Sequence, residues 1–253
     1  MRRIHVLTQK ELVDPEKIKH ATAVVIDVLL ATSTIVFALN KGIRSVITVK
    51  EPDEGFEIYH KDPDKKLIMG EKAGIRLEGM EYPDPNLFDN PEYQNKETLV
   101  LLTTNGTVAV ERSLRAKRLF VSSLLNGHMI AKEINEQNDE SSIVIVCAGN
   151  HNRFSMEDFI GAGQIVHYLI SESDPYSYSL SDSSKAALEM YRLAKKDEFN
   201  ILYSLETSEL LRSYGYNESI SLVVKHIEKI HLVSEMKEEG IVKLEKYDSN
   251  INL

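Results

Sequence analysis

The sequence predicts a three-layer α/β/α protein with a largely parallel or mixed central sheet. Three observations predict it. Apolar runs of strand length alternate with helix-period segments up to about residue 170, the pattern of strands joined by crossover helices. Runs such as Val24-Val25-Ile26 and Ile143-Val144-Ile145-Val146 are β-branched and lack polar alternation, as expected of central strands covered on both faces. Three of these runs end in short polar turns that open helices, and in open α/β sheets ligands bind beyond such strand ends.

Taken in order, alternating Ile4-His5-Val6-Leu7 predicts the first strand, and Ala23 to Val28 the second. Thr32, Ser33 and Thr34 then open a helix at 34–40. A β-branched strand at 45–49 leads to a helix at 52–60. Further strands are expected at 66–69, 98–103, 118–121 and 143–147, with helices at 107–115, 127–137 and 155–170. Residues 70–96 break the alternation with Pro83, Pro85, Pro91 and dense acids, and so long a loop in a compact domain is usually functional. Residues 171–183 read as a second break. Helices at 184–194 and 206–214 follow, then a hairpin over 231–247 turning near 238–240. The expected organisation is one domain over 1–253, alternatively two lobes at about 1–170 and 171–253.

Composition narrows the function. Forty-two per cent hydrophobic and 27% charged residues are ordinary usage for a soluble protein. A formal charge of −9 argues against a general nucleic-acid binder. No apolar stretch approaches the roughly 20 residues that cross a bilayer, and the N-terminus enters a strand without a signal-like apolar region. A single cysteine allows no internal disulfide and suits a reducing compartment. These features predict a cytoplasmic protein with no membrane or nucleic-acid partner. They leave homo-oligomerisation open.

The chemistry concentrates at the three strand ends. Asp27 closes a buried run, where a carboxylate is costly unless it meets a cation, donors or a solvent-filled crevice. The bland alternative is a turn acid. The hydroxyls of Thr32 and Ser33, five and six residues on, favour a site, because they and free helix N–H groups bind phosphate oxygens. Thr103-Thr104-Asn105-Gly106-Thr107 repeats the theme, with Asn-Gly permitting a tight turn and threonines able to cap the next helix. As structure alone this is good capping; beside the first unit it is a second row of donors. The third unit, Cys147 to Phe159, carries Arg153, Ser155, Glu157 and Asp158. Ser155 and Asp158 read as a helix cap. The functional alternative makes Glu157 and Asp158 magnesium ligands and Arg153 an anion clamp. Gly161 and Gly163 would admit close helix packing. Cys147 and Arg153 also share the Cys-x5-Arg spacing of thiol phosphatases, a short pattern common by chance. An aspartyl-phosphate mechanism lacks its second acid, since position 29 is Leu, and the eight histidines show no zinc-ligand spacing.

Together, Val24 to Ile35, Gly70 to Gly74, Leu101 to Thr107, Ser122 to Asn126 and Cys147 to Gly163 resemble the 2-phosphosulfolactate phosphatase (ComB-like) family, with a weaker likeness at Ser181 to Ala187. The resemblance implies a magnesium-dependent phosphatase that converts 2-phosphosulfolactate into sulfolactate and phosphate, on the route to coenzyme M or related sulfonates. It implies a three-layered fold with a mixed sheet. Its motif positions fall on Asp27, Thr32, Ser33, Glu71, Thr103, Thr104, Asn105, Gly106, Asn126, Glu157 and Asp158. On this basis Asp27, Glu71 and Asp158 are expected to hold Mg²⁺, with Asp27, Glu157 and Asp158 catalytic and Glu157 a candidate general base. Thr32, Ser33, Thr103, Thr104, Asn105, Gly106, Asn126 and Arg153 are expected at the substrate.

The chain departs from the family pattern where Leu30 and Val108 replace arginines and Lys72 replaces a third. A charge-assisted contact is worth about 1.5–3 kcal/mol, so losing two would weaken binding of a polyanion by about 3–6 kcal/mol if both touched it. Arg44, Arg76, Arg112 and Arg153 are the candidates to compensate. The partner is thus a small anionic phosphate ester, 2-phosphosulfolactate or a less anionic relative. Two alternatives stand beside it, a catalytically silent anion-binding or regulatory protein and a thiol phosphatase using Cys147.

Overall fold

The computed structural model describes residues 1–137, 139–174, 176–238 and 241–247. Their strands form a single eleven-stranded sheet between helical layers, the three-layer α/β arrangement expected from the sequence. In chain order the strands are β1 (Arg2–Leu7), β2 (Ala21–Ile26), β3 (Ser45–Thr48), β4 (Lys66–Lys72), β5 (Ile75–Arg76), β6 (Thr98–Leu102), β7 (Arg118–Ser122), β8 (Ser142–Cys147), β9 (Tyr178–Leu180), β10 (Leu232–Glu238) and β11 (Ile241–Tyr247). The helices are α1 (Ala31–Asn40), α2 (Pro52–His60), α3 (Gly106–Ser113), α4 (Gly127–Glu136), α5 (Met156–Ser171), α6 (Asp182–Lys196), α7 (Glu206–Ser213) and α8 (Asn217–Lys225).

The sheet order is β5-β4-β6-β3-β11-β10-β7-β2-β8-β1-β9. β4, β6 and β3 pair in parallel, as do β7, β2, β8, β1 and β9. The β10-β11 hairpin lies between these blocks, antiparallel to β7 on one side and to β3 on the other. Two reversals across the hairpin, plus its own, leave the two parallel blocks running in opposite senses. All six residues of β2 are buried, which explains its unbroken apolar run: it sits between β7 and β8 with helices on both faces. The expected hairpin at 231–247 is present, although residues 239–240 of its turn lie outside the described residues.

Helices α4, α5 and α6 cover one face, and α1 with α3 the other. Gly163 of α5 meets α6 so closely that a Cβ there would lie 2.0 Å from the Ala187 carbonyl oxygen, the close approach its sequence position suggested. Residues 31 to 39 of α1 are all buried, because this helix packs against β3, β7 and β10 and is roofed by the proline-rich segment. Thr34 Oγ1 donates to the carbonyls of Leu30 and Pro83, both at 3.0 Å, and so ties that roof down. Short 3₁₀ turns at Pro85–Asp89 and Pro91–Tyr93, β5 and a bridge from Met69 to Glu81 give residues 70–96 more order than a loop. Likewise β9 and α8 occupy stretches where the sequence pattern predicts no regular element. Three-residue strands are too short to show a period, and α8 starts without a capping side chain.

Candidate active site

Asp27 follows the last residue of β2, Thr103 follows β6, and Asp158 lies in the first turn of α5 after β8. Five strand steps separate β2 from β6, about 24 Å in a flat sheet, and the two strands run in opposite senses. Yet a Cβ at Gly106, the first residue of α3, would stand 2.9 Å from Asp27 Oδ2 and 2.4 Å from Ala31 Cβ. Such contact requires a strongly coiled sheet, and five steps of ordinary strand twist accumulate to roughly 100°. The coiling folds one block's strand ends over the other's. Gly106 is required there because any side chain would collide with Asp27 or α1.

One pocket results. Asp27, Glu71, Glu157 and Asp158 line it together with Thr103, Asn105 and His151. Its other wall is apolar, from Leu30 and Tyr82 to Leu210 and Leu211 of α7. Asp158 is held by two main-chain donors, Val28 N–H to Oδ1 at 2.9 Å and Gly149 N–H to Oδ2 at 3.0 Å. Its own N–H is capped by Ser155 Oγ at 3.3 Å, as the Ser155/Asp158 spacing suggested. Glu71 accepts from Thr104 N–H at 2.6 Å, from Thr104 Oγ1 at 3.0 Å and from Gly74 N–H at 2.7 Å. Glu157 is buried.

So many acids in one buried place repel one another. Burial, then the Glu71 and Glu157 carboxylates, push Asp27 up to about 7 against the opposing pull of the Ala31 N–H and Lys10. Burial, then Asp27 and Glu157, raise Asp158 well above the usual carboxylate range despite its two N–H donors. Uncompensated buried negative charge is the electrostatic condition that a hard divalent cation relieves. All four acids offer oxygen, the donor type magnesium takes. Among the described residues no three Asp, Glu, His or Cys side chains close into a preformed metal cluster.

Several residues expected at the substrate do not line this pocket. Thr32 Oγ1 donates to the Asp27 carbonyl at 2.7 Å and accepts from the Asp27 N–H at 2.9 Å, while Ser33 Oγ donates to the Val28 carbonyl at 2.7 Å. Both are fully buried and brace the turn that presents Asp27. Thr104 grips Glu71. Asn126 is fully buried beyond β7, where its amide bonds the Ser123 N–H, Ser122 Oγ, the Leu232 carbonyl and Ser234 Oγ, and so fastens the hairpin. Arg153 is exposed, 3.9 Å from Glu206. Thr103, Asn105, Asp27, Glu71, Glu157 and Asp158 do line the pocket; Gly106 supplies room beside it. Thr103 Oγ1 accepts from the Thr107 N–H at 3.1 Å, leaving its own proton to donate.

Nor do the four arginines compensate for Leu30 and Val108. Arg44 pairs with Glu97 and Arg76 with Glu81 on the exterior, and Arg112 reaches the Lys10 carbonyl at 3.5 Å. Leu30 faces the pocket, whereas Val108 faces a separate groove with Lys50 and Glu111, so only one of the two departures bears on the site. Cys147 is fully buried, and burial, then Asp158 and Glu157, push its thiol well above its ordinary value, the reverse of an activated thiolate.

Sequence reasoning passed over Lys10, Tyr82 and the α7 leucines, and read His151, which lies beside a candidate turn, as a solvated loop residue. The proline-rich interruption was the available signal for Tyr82. Lys10 carries none, being one lysine in a polar turn.

Comparison with known proteins places these features in a family. The family model described as 2-phosphosulpholactate phosphatase matches residues 7–239. A protein of Clostridium kluyveri named probable 2-phosphosulfolactate phosphatase is 35% identical over 190 residues, covering 75% of this chain and 77% of that relative. One of Clostridium beijerinckii with the same name is 32% identical over 243 residues, covering 94% and 98%. One of Caldanaerobacter subterraneus subsp. tengcongensis is 32% identical over 232 residues, covering 91% and 93%. With the match running from the first strand into the hairpin and identities above 30% across most of both chains, the protein belongs to the 2-phosphosulfolactate phosphatase family.

Proposed function

We propose that this protein is a magnesium-dependent phosphatase that hydrolyses 2-phosphosulfolactate or a closely related small phosphate ester. The observation that carries this reading is the convergence of four carboxylates, the buried Asp27, Glu157 and Asp158 and the half-buried Glu71, from the ends of β2 and β4 and the start of α5 on one pocket beside Thr103 and Asn105. Asp27, Glu71 and Asp158 would hold the ion, directly or through water. Bound there, it supplies positive charge to phosphoryl oxygens and acidifies water.

This chain's own residues do the rest. The Thr103 hydroxyl and the Asn105 amide donate to non-bridging phosphoryl oxygens, orienting the group in the pocket. Glu157, buried among the other acids, accepts a proton from the attacking water as general base. The water oxygen bonds to phosphorus, the ester P–O bond breaks, and the alkoxide takes back the proton that Glu157 accepted and leaves as the hydroxy acid. Tyr82, stacked on Tyr216 at 3.9 Å between ring centres, walls the site with Leu210 and Leu211 and limits bulk water around the reacting group.

The test is phosphate release from 2-phosphosulfolactate and a panel of smaller phosphate esters, with Mg²⁺ and after EDTA. Turnover that EDTA abolishes, and that Asp27→Asn reduces by at least about a hundredfold, supports the reading. A silent anion-binding relative is the second reading, favoured by Leu30 in the pocket. It predicts phosphate binding without turnover of any ester.

A further inference from the structure

Lys10 opens the 3₁₀ turn Lys10–Leu12 that follows β1, and it is 4% exposed. A lysine so buried must find acceptors for its three donors. It finds three: Asn105 Oδ1 at 2.9 Å, the Ala148 carbonyl at 3.0 Å and Glu11 Oε1 at 3.2 Å. Asn105 immediately precedes α3 in the turn after β6, and Ala148 follows β8, so one side chain bridges two of the three strand-end turns that build the pocket. With every donor already directed at protein, Lys10 has none left for a ligand.

Its effect falls on Asn105. The Asn105 oxygen also accepts from the His151 N–H at 3.4 Å. A lysine ammonium and a main-chain N–H can only donate, so they fix which end of the carboxamide is oxygen. The NH2 end is then turned away from Lys10, and Asn105 lines the pocket beside Asp27 and Thr103. We propose that Lys10 is a positioning residue for phosphate recognition: it pins the Asn105 carboxamide oxygen so that the NH2 group faces the pocket and donates to a phosphoryl oxygen. The proposal rests on the phosphate-ester reading of the same pocket.

The experiment titrates inorganic phosphate, with Mg²⁺ present, into the full chain and into Lys10→Met, Asn105→Ala and the double variant by calorimetry. The kcat and KM for a phosphate ester are measured in parallel. Each single variant is expected to weaken phosphate binding about tenfold or more, the scale of one hydrogen bond to a charged group. The double variant is expected to lose no more than Asn105→Ala alone, and KM is expected to rise more than kcat falls. Asn105→Asp serves as a second variant that keeps Lys10 paired and the fold intact while replacing the donating NH2 by an acceptor; it is expected to bind phosphate at least as weakly as Asn105→Ala. Additive losses in the double variant overturn the proposal. So does wild-type phosphate affinity in Lys10→Met or Asn105→Asp, and so does a full chain that binds no phosphate. Phosphate binding that responds as expected without ester turnover leaves Lys10 in this role and removes the phosphatase reading. Turnover with phosphate affinity indifferent to Lys10 does the opposite.

Discussion

Asp27 sits where three demands meet: the end of a buried strand, the floor of an acidic pocket, and the wall against which Gly106 packs. Its raised proton affinity has a stability consequence with a definite sign. The folded, metal-free chain keeps a proton on Asp27 until about pH 7, whereas the unfolded chain releases it near an ordinary carboxylate value. Stability from this group is therefore full in acid and is lost as pH rises from about 4 towards 7. Thermal melts in chelator should show wild type losing stability relative to Asp27→Asn between pH 5 and 7.5, with Mg²⁺ restoring it at the upper end. A difference that stays flat with pH contradicts the reading.

Leu30 and Cys147 carry two further residue-level predictions. Leu30→Arg adds a guanidinium where the pocket wall is apolar, and it should lower KM for a polyanionic ester about tenfold while leaving simple alkyl phosphates little changed. Parallel kinetics on both substrates check it. Cys147→Ser should retain turnover within about twofold in a phosphate-release assay, since the thiol is buried and held protonated. Loss of turnover without loss of folding would return the cysteine to the mechanism.

At the scale of elements, the turns after β2, β6 and β7 share a device: a short polar side chain bonds the main chain and fixes how the next helix starts. Thr32, Thr107 and Asn126 all do this. Hydroxyl-rich helix starts read in sequence as phosphate cradles or as structural braces, because both uses need the same atoms. Thr103 and Asn105 line the pocket; Thr32, Ser33 and Asn126 bond the main chain away from it. The distinction depends on which way the helix leaves its strand, a tertiary matter. Asn126→Ala should accordingly cost about 1–3 kcal/mol of stability, read by denaturant melts, with kcat and KM close to wild type.

For the whole molecule, the hairpin is decisive. β10 and β11 join two parallel blocks that, among the described residues, have no other strand pairing to each other. Asn126 and Ser234 reinforce the joint, the latter donating to the Val121 carbonyl at 2.5 Å. Removing the chain from residue 232 onward should expose the inner edges of β3 and β7, which invites intermolecular pairing. The shortened chain is expected to aggregate or to lose its cooperative melt, checked by light scattering and thermal denaturation. Cooperative, monomeric unfolding of that chain would show that the blocks hold together through helices alone.

Residue order alone determined much here. Periodicity of 2 against 3.6 separates strands from helices locally, so the alternating elements, their approximate bounds, the final hairpin and the polar turns at the strand ends, Asp27 among them, were all legible. The Ser155 cap and the small residues of α5 were equally plain, since each depends on neighbours within one turn. What only the tertiary structure decided is long-range: the hairpin's place in mid-sheet, the opposed blocks, the coiling that lays Asp27 against Gly106, and the buried lysine from the first turn that reaches Asn105. These contacts join residues far apart in the chain, 95 positions for Lys10 and Asn105, through strand pairing and close packing. No local pattern encodes them, because a period describes which face of an element is buried and says nothing about what buries it.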